Sequence, residues 1–189
     1  MVAVLVAGLL SGTRDRHVIA SRRHLYGLKL RAHEAEQSEE AQMSQTVADM
    51  LVGTLERIGV KHIFGLIGDS LNPLAHAVRR SKIEWIGVRH EEGAALAASG
   101  QAKLTGRLAV CCGTTGPGST HLVAGLYEAG RDHAPVLALS GDMPRKMHGT
   151  DYIQTTDPDL LFRDVSLYTE TISSAEQAPA VIHQAIAAA

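Results

Sequence analysis

The sequence of 189 residues has few aromatic side chains, two cysteines, no excess of charge and no long hydrophobic run. Aromatic residues make up 4% of the chain, and Cys111 and Cys112 are adjacent, so they cannot form a disulfide framework. The formal net charge of −2 does not favour nucleic acid or an anionic membrane as a partner. The longest apolar run, Val2 to Leu10, is too short to span a bilayer. These absences predict a cytoplasmic protein with no nucleic-acid partner and no integral membrane segment.

What is present is typical of a folded globular protein, with 45% hydrophobic and 20% charged residues. The first 42 residues differ from the rest, because an apolar run is followed by a basic stretch and then by an acidic patch. A secretory signal has its positive charge before the apolar segment, so this order does not favour one. We expect residues 1–42 to be a poorly ordered leader outside the fold, and residues 43–189 to form a single domain.

From Thr46 onward, predicted helices and strands alternate. Strands are predicted at residues 62–67, 83–88, 107–112, 135–140 and 166–172, and helices at 46–58, 71–80, 91–104, 121–131 and 175–188. The strands are apolar throughout instead of alternating, which is typical of a parallel sheet buried on both faces. We therefore expect an α/β fold, with a doubly wound parallel sheet between two layers of helices.

In such sheets, ligands bind beyond the carboxyl ends of the strands, where three predicted loops meet. These loops are Gly68–Ser70, Arg89–Glu92 and Gly113–Thr120. The last is rich in glycine but lacks the lysine of a phosphate-binding Walker loop and the third glycine of a dinucleotide fingerprint. From spacing alone, it is either a backbone cradle for a ligand or a tight turn between strand and helix.

Two carboxylates, Glu91 and Glu92, stand at a predicted helix start. They either stabilise the helix through its dipole, or one of them points inward and exchanges protons with a ligand. The histidines lack the spacing of a metal site, and no metal is predicted. The residues expected to have only loop or packing roles are His90, His121, His133, His148 and the two cysteines.

Three segments then carry a family resemblance: Gly68-Asp69-Ser70-Leu71-Asn72, Arg89-His90-Glu91-Glu92-Gly93-Ala94 and Gly113-Thr114-Thr115-Gly116-Pro117-Gly118. In this order they resemble the N-terminal, pyrimidine-binding domain of thiamine-diphosphate enzymes. The group of pyruvate oxidase and pyruvate:quinone oxidoreductase is the most similar, followed by acetolactate synthase. The resemblance extends from Ser44 to the C-terminus.

The resemblance implies a role for each matching residue. Glu91 aligns with the activating glutamate, which hydrogen-bonds N1′ of the cofactor's pyrimidine and so promotes loss of the thiazolium C2 proton. Gln154 aligns with a glutamine near the reacting substrate. The residues implied to bind the cofactor are Gly68, Asp69, Ser70, Glu91, Thr114, Thr115, Gly116, Pro117 and Gly118.

The chain also departs from the family pattern. Ile153-Gln154-Thr155 stands where many members have Phe-Gln-Glu, which leaves the identity of the 2-oxo acid open. Members continue into a central domain, flavin-binding in the oxidases, and a third domain that holds Mg²⁺ and the diphosphate. We therefore expect a truncated or split pyruvate-decarboxylating, oxidase-like enzyme that is inactive alone. It would pair with a second copy or with a partner chain carrying the diphosphate-binding domain.

Three other interpretations stay open at this point. The chain could be a fragment similar to the acetolactate synthase large subunit. It could also be a non-catalytic module for dimerisation or partner binding. The third is a nucleotide-binding α/β domain of unrelated function, which calorimetry with thiamine diphosphate against NAD or ATP would distinguish.

Overall fold

A computed structural model describes residues 1–7 and 45–189, in which strands and helices alternate along the chain. The strands are β1 (Val2–Ala7), β2 (His62–Gly65), β3 (Glu84–Gly87), β4 (Ala109–Gly113), β5 (Val136–Gly141) and β6 (Tyr168–Ile172). The helices are α1 (Val47–Arg57), α2 (Asn72–Arg79), α3 (Glu91–Thr105), α4 (Pro117–Arg131), α5 (Pro158–Phe162) and α6 (Ala178–Ala188). Two 3₁₀ turns cover Asp69–Leu71 and Arg145–Met147.

The six strands form one parallel sheet in the order β3-β2-β4-β5-β1-β6. Successive side chains of a strand point to opposite faces, and each face is covered by helices. Leu5 and Cys112 pack with α1, α2 and α6, whereas Val4 and Cys111 pack with α3, α4 and α5. The two cores confirm the predicted doubly wound α/β fold, with a sheet buried on both faces.

Strand β1 is a finding that the sequence analysis did not anticipate. Residues 1–42 were expected outside the fold, yet Val2–Ala7 lies between β5 and β6 and pairs with both of them in parallel. The physical reason is that six consecutive apolar residues suit a central strand buried on both faces, and Val4 and Leu5 are almost fully buried. The rest of the predicted leader, residues 8–42, lies outside the described residues.

Proline positions explain where two helices begin. The glycine-rich loop is shorter than predicted, because α4 begins at Pro117 and not at His121. Helix α6 begins at Ala178, three residues later than predicted, with Pro179 in its first turn. Proline is favoured in the first turn of a helix, where its missing N–H has no partner to lose.

Glycines end the four strands that lead to the predicted ligand edge: Gly65, Gly87, Gly113 and Gly141. At three of them, a side chain would collide with a neighbouring loop or strand. A Cβ on Gly113 would meet the carbonyl oxygen of Gly118, and one on Gly141 would meet the Ser70 hydroxyl. The loops at this edge can therefore lie close together because the strands end without side chains.

Among the helices that the structure describes, none combines the length and apolar character needed to cross a membrane.

Candidate functional site

Glu91 is the first residue of α3 and is buried, with only 4% of its surface exposed. The preceding His90 has an extended backbone and caps the helix, because its ring nitrogen Nδ1 accepts the backbone N–H of Glu92 at 3.3 Å. The cap ends the extended segment after β3 and turns Glu91 inward, while Glu92 points to solvent. The structure thus favours the inward-facing interpretation of this glutamate pair.

The two oxygens of the Glu91 carboxylate have different surroundings. Oε2 lies 2.9 Å from Nδ1 of His121, which lies in α4 one turn after Pro117. Oε1 faces Gly118, where a Cβ would lie 3.0 Å from it. Within residues 1–7 and 45–189, no hydrogen bond to Oε1 is present. One oxygen is held by the protein, and the other is available to a ligand.

Close packing of α3 against α4 brings Glu91 and His121 together. A Cβ on Gly125 of α4 would lie 2.7 Å from the backbone nitrogen of Leu96 of α3, so the two helices cross in near-contact. At the far end of the pair, Lys103 of α3 hydrogen-bonds Glu128 of α4 and, at 2.8 Å, Asp132, the residue that follows α4. These hydrogen bonds hold the pKa values of both carboxyl groups below their usual range.

The glycine bend, defined here as residues 113–118, forms the second part of the site. Gly116 has a φ of 68°, in the left-handed region that glycine adopts without strain. A Cβ on Gly118 would lie 2.9 Å from Cγ2 of Thr114, as well as close to Glu91. The bend therefore presents backbone instead of side chains next to the buried carboxylate.

The loop Gly68–Ser70 lies directly against this bend. The hydroxyls of Ser70 and Thr114 are 2.8 Å apart, and the backbone N–H of Thr115 donates to Ser70 Oγ at 3.1 Å. A Cβ on Gly68 would lie 2.6 Å from Cβ of Thr114, which leaves room only for glycine. Asp69 is exposed and opens the 3₁₀ turn that leads into α2.

Gln154 also reaches the glycine bend. It has a φ of 61°, an unusual value for a residue with a side chain, and its Cβ would lie 2.8 Å from a Cβ on Gly116. The structure thus brings together all the sequence-predicted positions: the loop at 68–70, Glu91, the bend with Pro117 exposed at its end, and Gln154.

Two features of the site were missed by the sequence analysis. His121 was expected to have only a loop or packing role, yet it contacts Glu91. Ser119 and Ser140 are buried, with their hydroxyls 2.7 Å apart, and Ser119 also donates to the carbonyl oxygen of Thr114 at 2.9 Å. This pair ties the bend to the end of β5. In the sequence, the contact of His121 with Glu91 is signalled only by its position one turn after Pro117. That signal can be used only when the helix is known to begin at Pro117.

The cysteine pair serves the core. Burial raises the pKa of Cys111 to about 12 and raises that of Cys112 well above its ordinary value, and electrostatic interactions with the neighbouring Cys111 and Glu91 add to the effect on Cys112. Both thiols are free and protonated at neutral pH, so neither is an activated nucleophile.

No group of three or more His, Cys, Asp or Glu side chains in the described part of the chain could hold a metal ion. Near the bend, a buried carboxylate, Asp142, pairs with His148 at 3.1 Å and accepts the backbone N–H of Met143 at 2.7 Å. Two side chains are too few for a metal centre. They fix the loop after β5.

Comparison with known proteins identifies the family of the chain. Residues 45–161 match the family described as "Thiamine pyrophosphate enzyme, N-terminal TPP binding domain". The chain belongs to this family. The predicted resemblance is therefore confirmed, and thiamine diphosphate is the cofactor of the family.

Three curated relatives illustrate its range. The chain is 50% identical over 144 residues to a 42.6 kDa protein from the isoamylase 3′ region of Pseudomonas amyloderamosa, covering 76% of this chain and 36% of that protein. It is 43% identical over 138 residues to pyruvate oxidase of Lactiplantibacillus plantarum, covering 72% and 23%. It is 40% identical over 139 residues to the chloroplastic acetolactate synthase 1 of Oryza sativa subsp. japonica, covering 73% and 22%. The chain thus spans about a quarter to a third of the length of these relatives.

The residues of this thiamine pyrophosphate domain fit the pyrimidine half of the cofactor. The site pairs the carboxylate of a largely buried residue, Glu91, whose Oε1 has no hydrogen-bond partner in the described structure, with a bend in which a Cβ on Gly118 would lie 3.0 Å from that oxygen. A flat heteroaromatic ring needs such a combination of one acceptor and a side-chain-free wall. Among the described residues, no cluster of His, Cys, Asp or Glu could hold a metal ion beside the cofactor.

Proposed function

We propose that this chain binds the aminopyrimidine of thiamine diphosphate and activates the cofactor through Glu91. The observation that carries the proposal is the buried Glu91 carboxylate, whose Oε1 faces the glycine bend while Oε2 is held by His121. The bend and the loop Gly68–Ser70 would line the ring on its two sides. Backbone from Gly116 to Gly118 would contact the ring directly, since no side chain intervenes there.

The chemistry divides between cofactor and protein. When bound, thiamine diphosphate supplies an electron sink for cleavage of the bond beside a keto group. Glu91 holds or moves one proton at Oε1, next to the ring nitrogen that it contacts. Burial removes competing water from this exchange, and a correctly placed acid–base group contributes roughly 10²–10⁴ in rate.

The proposed substrate is a 2-oxo acid, pyruvate in the first instance, in an enzyme similar to pyruvate oxidase. The 43% identity to a pyruvate oxidase and the position of Gln154 at the bend support this choice. An enzyme similar to acetolactate synthase is the alternative, supported by 40% identity to the rice protein. FAD would belong to the oxidase case, and it would bind outside the residues that form this site.

We further propose that the domain, residues 43–189 together with β1, works as part of a larger assembly. A partner chain that carries a diphosphate-binding domain would hold the diphosphate with Mg²⁺, because the described residues, and the same residues of a second copy, offer no group of acidic, histidine or cysteine side chains for that cation. The two free cysteines fit the reducing cytoplasm that we propose as its location.

The direct test is binding of thiamine to the purified chain, followed by ligand-observed NMR. We expect a dissociation constant on the order of 1 mM, because only half of the cofactor finds a site here. Glu91→Gln should abolish the binding, since the amide cannot accept or supply the proton at Oε1. Glu92→Gln is the matched control, with the same loss of charge one residue away on the exposed side, and it should bind as the wild type does. No binding by the wild-type chain at 10-fold this concentration, or equal binding by both variants, would contradict the proposal.

A further inference from the structure

The side chain of His121 is the single hydrogen-bond partner of the Glu91 carboxylate within the described structure. Its Nδ1 lies 2.9 Å from Oε2 of Glu91. The histidine side chain is 41% exposed, whereas that of Glu91 is 5% exposed. The histidine thus bridges a buried acid and the surface. An ionised carboxylate can only accept hydrogen bonds, so Nδ1 must carry the hydrogen in that state.

This hydrogen bond determines which carboxylate oxygen is free. A glutamate side chain has several rotamers, and its terminal torsion is broad, so burial alone does not aim one oxygen at the bend. With Oε2 fixed by His121, Oε1 is left beside Gly118. Without the histidine contact, Oε2 would lose its partner and the carboxylate could turn toward the solvent-exposed start of α3.

A second ring fixes the histidine itself. The rings of His90 and His121 are stacked, with centroids 4.2 Å apart and planes inclined by 24°. The Nδ1 of His90 accepts the N–H of Glu92, so that nitrogen carries no hydrogen and the ring cannot turn without breaking the helix cap. The helix cap therefore holds the ring of His90. That ring stacks on the ring of His121, which in turn hydrogen-bonds the carboxylate of Glu91.

We propose that His121 is a positioning residue, which holds Oε2 of Glu91 so that Oε1 meets the ring nitrogen of the aminopyrimidine. This inference rests on the proposed function, because it names the ligand atom that the aimed oxygen contacts. It adds a residue that acts through Glu91 without touching the cofactor.

The test uses two substitutions of His121 that separate the hydrogen bond from the ring. His121→Asn keeps an N–H at the same number of bonds from the backbone as Nδ1, but it removes the ring. His121→Phe keeps a ring to stack on His90, but it removes the hydrogen bond. Thiamine binding is measured by NMR for each variant, and thermal melting by circular dichroism shows that each one is folded.

We expect His121→Phe to bind thiamine about tenfold more weakly, because it loses a hydrogen bond to a charged group. His121→Asn keeps an N–H donor for that bond, so its affinity should stay within about threefold of the wild type. A merely structural role would give the opposite order, since phenylalanine preserves the packing better. Wild-type affinity in His121→Phe, or equal weakening in both variants, would overturn the inference.

A second readout needs no ligand. The ring-nitrogen chemical shifts of His121 report on the hydrogen at Nδ1, and Glu91→Gln should move them while Glu92→Gln leaves them unchanged. Unchanged His121 chemical shifts in Glu91→Gln would overturn this inference but would not contradict the proposed function. Failure of the wild-type chain to bind thiamine would instead overturn the proposed function.

Discussion

At the scale of single residues, the site combines the carboxylate of Glu91 with glycines that have no side chain. In the proposed site, Glu91 would supply the acid–base group, whereas Gly116 and Gly118 form a wall without side chains. The gap between wall and carboxylate is narrow, because the nearest oxygen of Glu91 lies 3.0 Å from the position of a Cβ on Gly118. One methyl group is therefore enough to fill the place that we assign to the ring.

Gly118→Ala tests this narrow gap. The added Cβ would lie 2.9 Å from Thr114 Cγ2 and 3.0 Å from Glu91 Oε1, so the bend must shift at a cost of about 1–3 kcal/mol of stability. We expect thiamine binding to fall below detection in the NMR assay. Gly100→Ala, in α3 with open space around its Cβ, is the control and should stabilise the fold by up to about 1 kcal/mol with unchanged binding. Wild-type binding by Gly118→Ala would contradict the proposed location of the ring.

The sequence predicts the members of this site better than it predicts their contacts. The order of the three loops places Glu91 and the glycine bend at one edge, because the carboxyl ends of parallel strands meet there. The pairing of Glu91 with His121 depends on the crossing of α3 and α4, which is set by Gly125 against Ala95 and Leu96. Such a contact between distant turns leaves no local pattern in the sequence, so it could not be predicted.

At the scale of elements, β1 determines whether the sheet is continuous. It pairs with β5 on one side and β6 on the other, so without it these two strands would have no partner on their facing edges. The apolar composition of β1 is visible in the sequence, where it belongs to a run that is too short to span a membrane. Its place in the sheet was not visible, because residues 8–44 separate it from the domain and no periodicity links the two.

Leu5→Ala tests the role of β1 in stability. Leu5 is 1% exposed and belongs to the core formed with α1, α2 and α6, so the truncation should cost about 2–5 kcal/mol in the free energy of unfolding. Urea unfolding followed by circular dichroism measures the difference. The matched control is Leu104→Ala, since Leu104 is 89% exposed at the end of α3 and its loss should stay within about 0.5 kcal/mol. Equal effects of the two substitutions would show that β1 does not belong to the sheet in solution.

At the scale of the whole molecule, the described residues offer a site that we assign to one half of the cofactor. The described residues hold a carboxylate and a backbone wall for a neutral ring, but no cluster of acidic, histidine or cysteine side chains for a divalent cation. The cofactor's diphosphate carries most of its charge, and in enzymes such charge is held by metal ions and backbone N–H groups. Binding energy from the ring alone is then small, which is why we expect millimolar affinity.

This division predicts that the purified chain has no catalytic activity by itself. With pyruvate, thiamine diphosphate, Mg²⁺ and FAD, we expect no release of carbon dioxide above the level given by Glu91→Gln, which serves as the matched inactive control. The reason is that the reactive part of the cofactor must be held at both ends to meet a substrate at Gln154, and we assign a site for one end only to the described residues. The same assay with the pyruvate oxidase of Lactiplantibacillus plantarum, which is 43% identical over 138 residues, is the positive control. Turnover by the wild-type chain that exceeds the Glu91→Gln level would mean that the diphosphate is held here, and would contradict the proposed need for a partner chain.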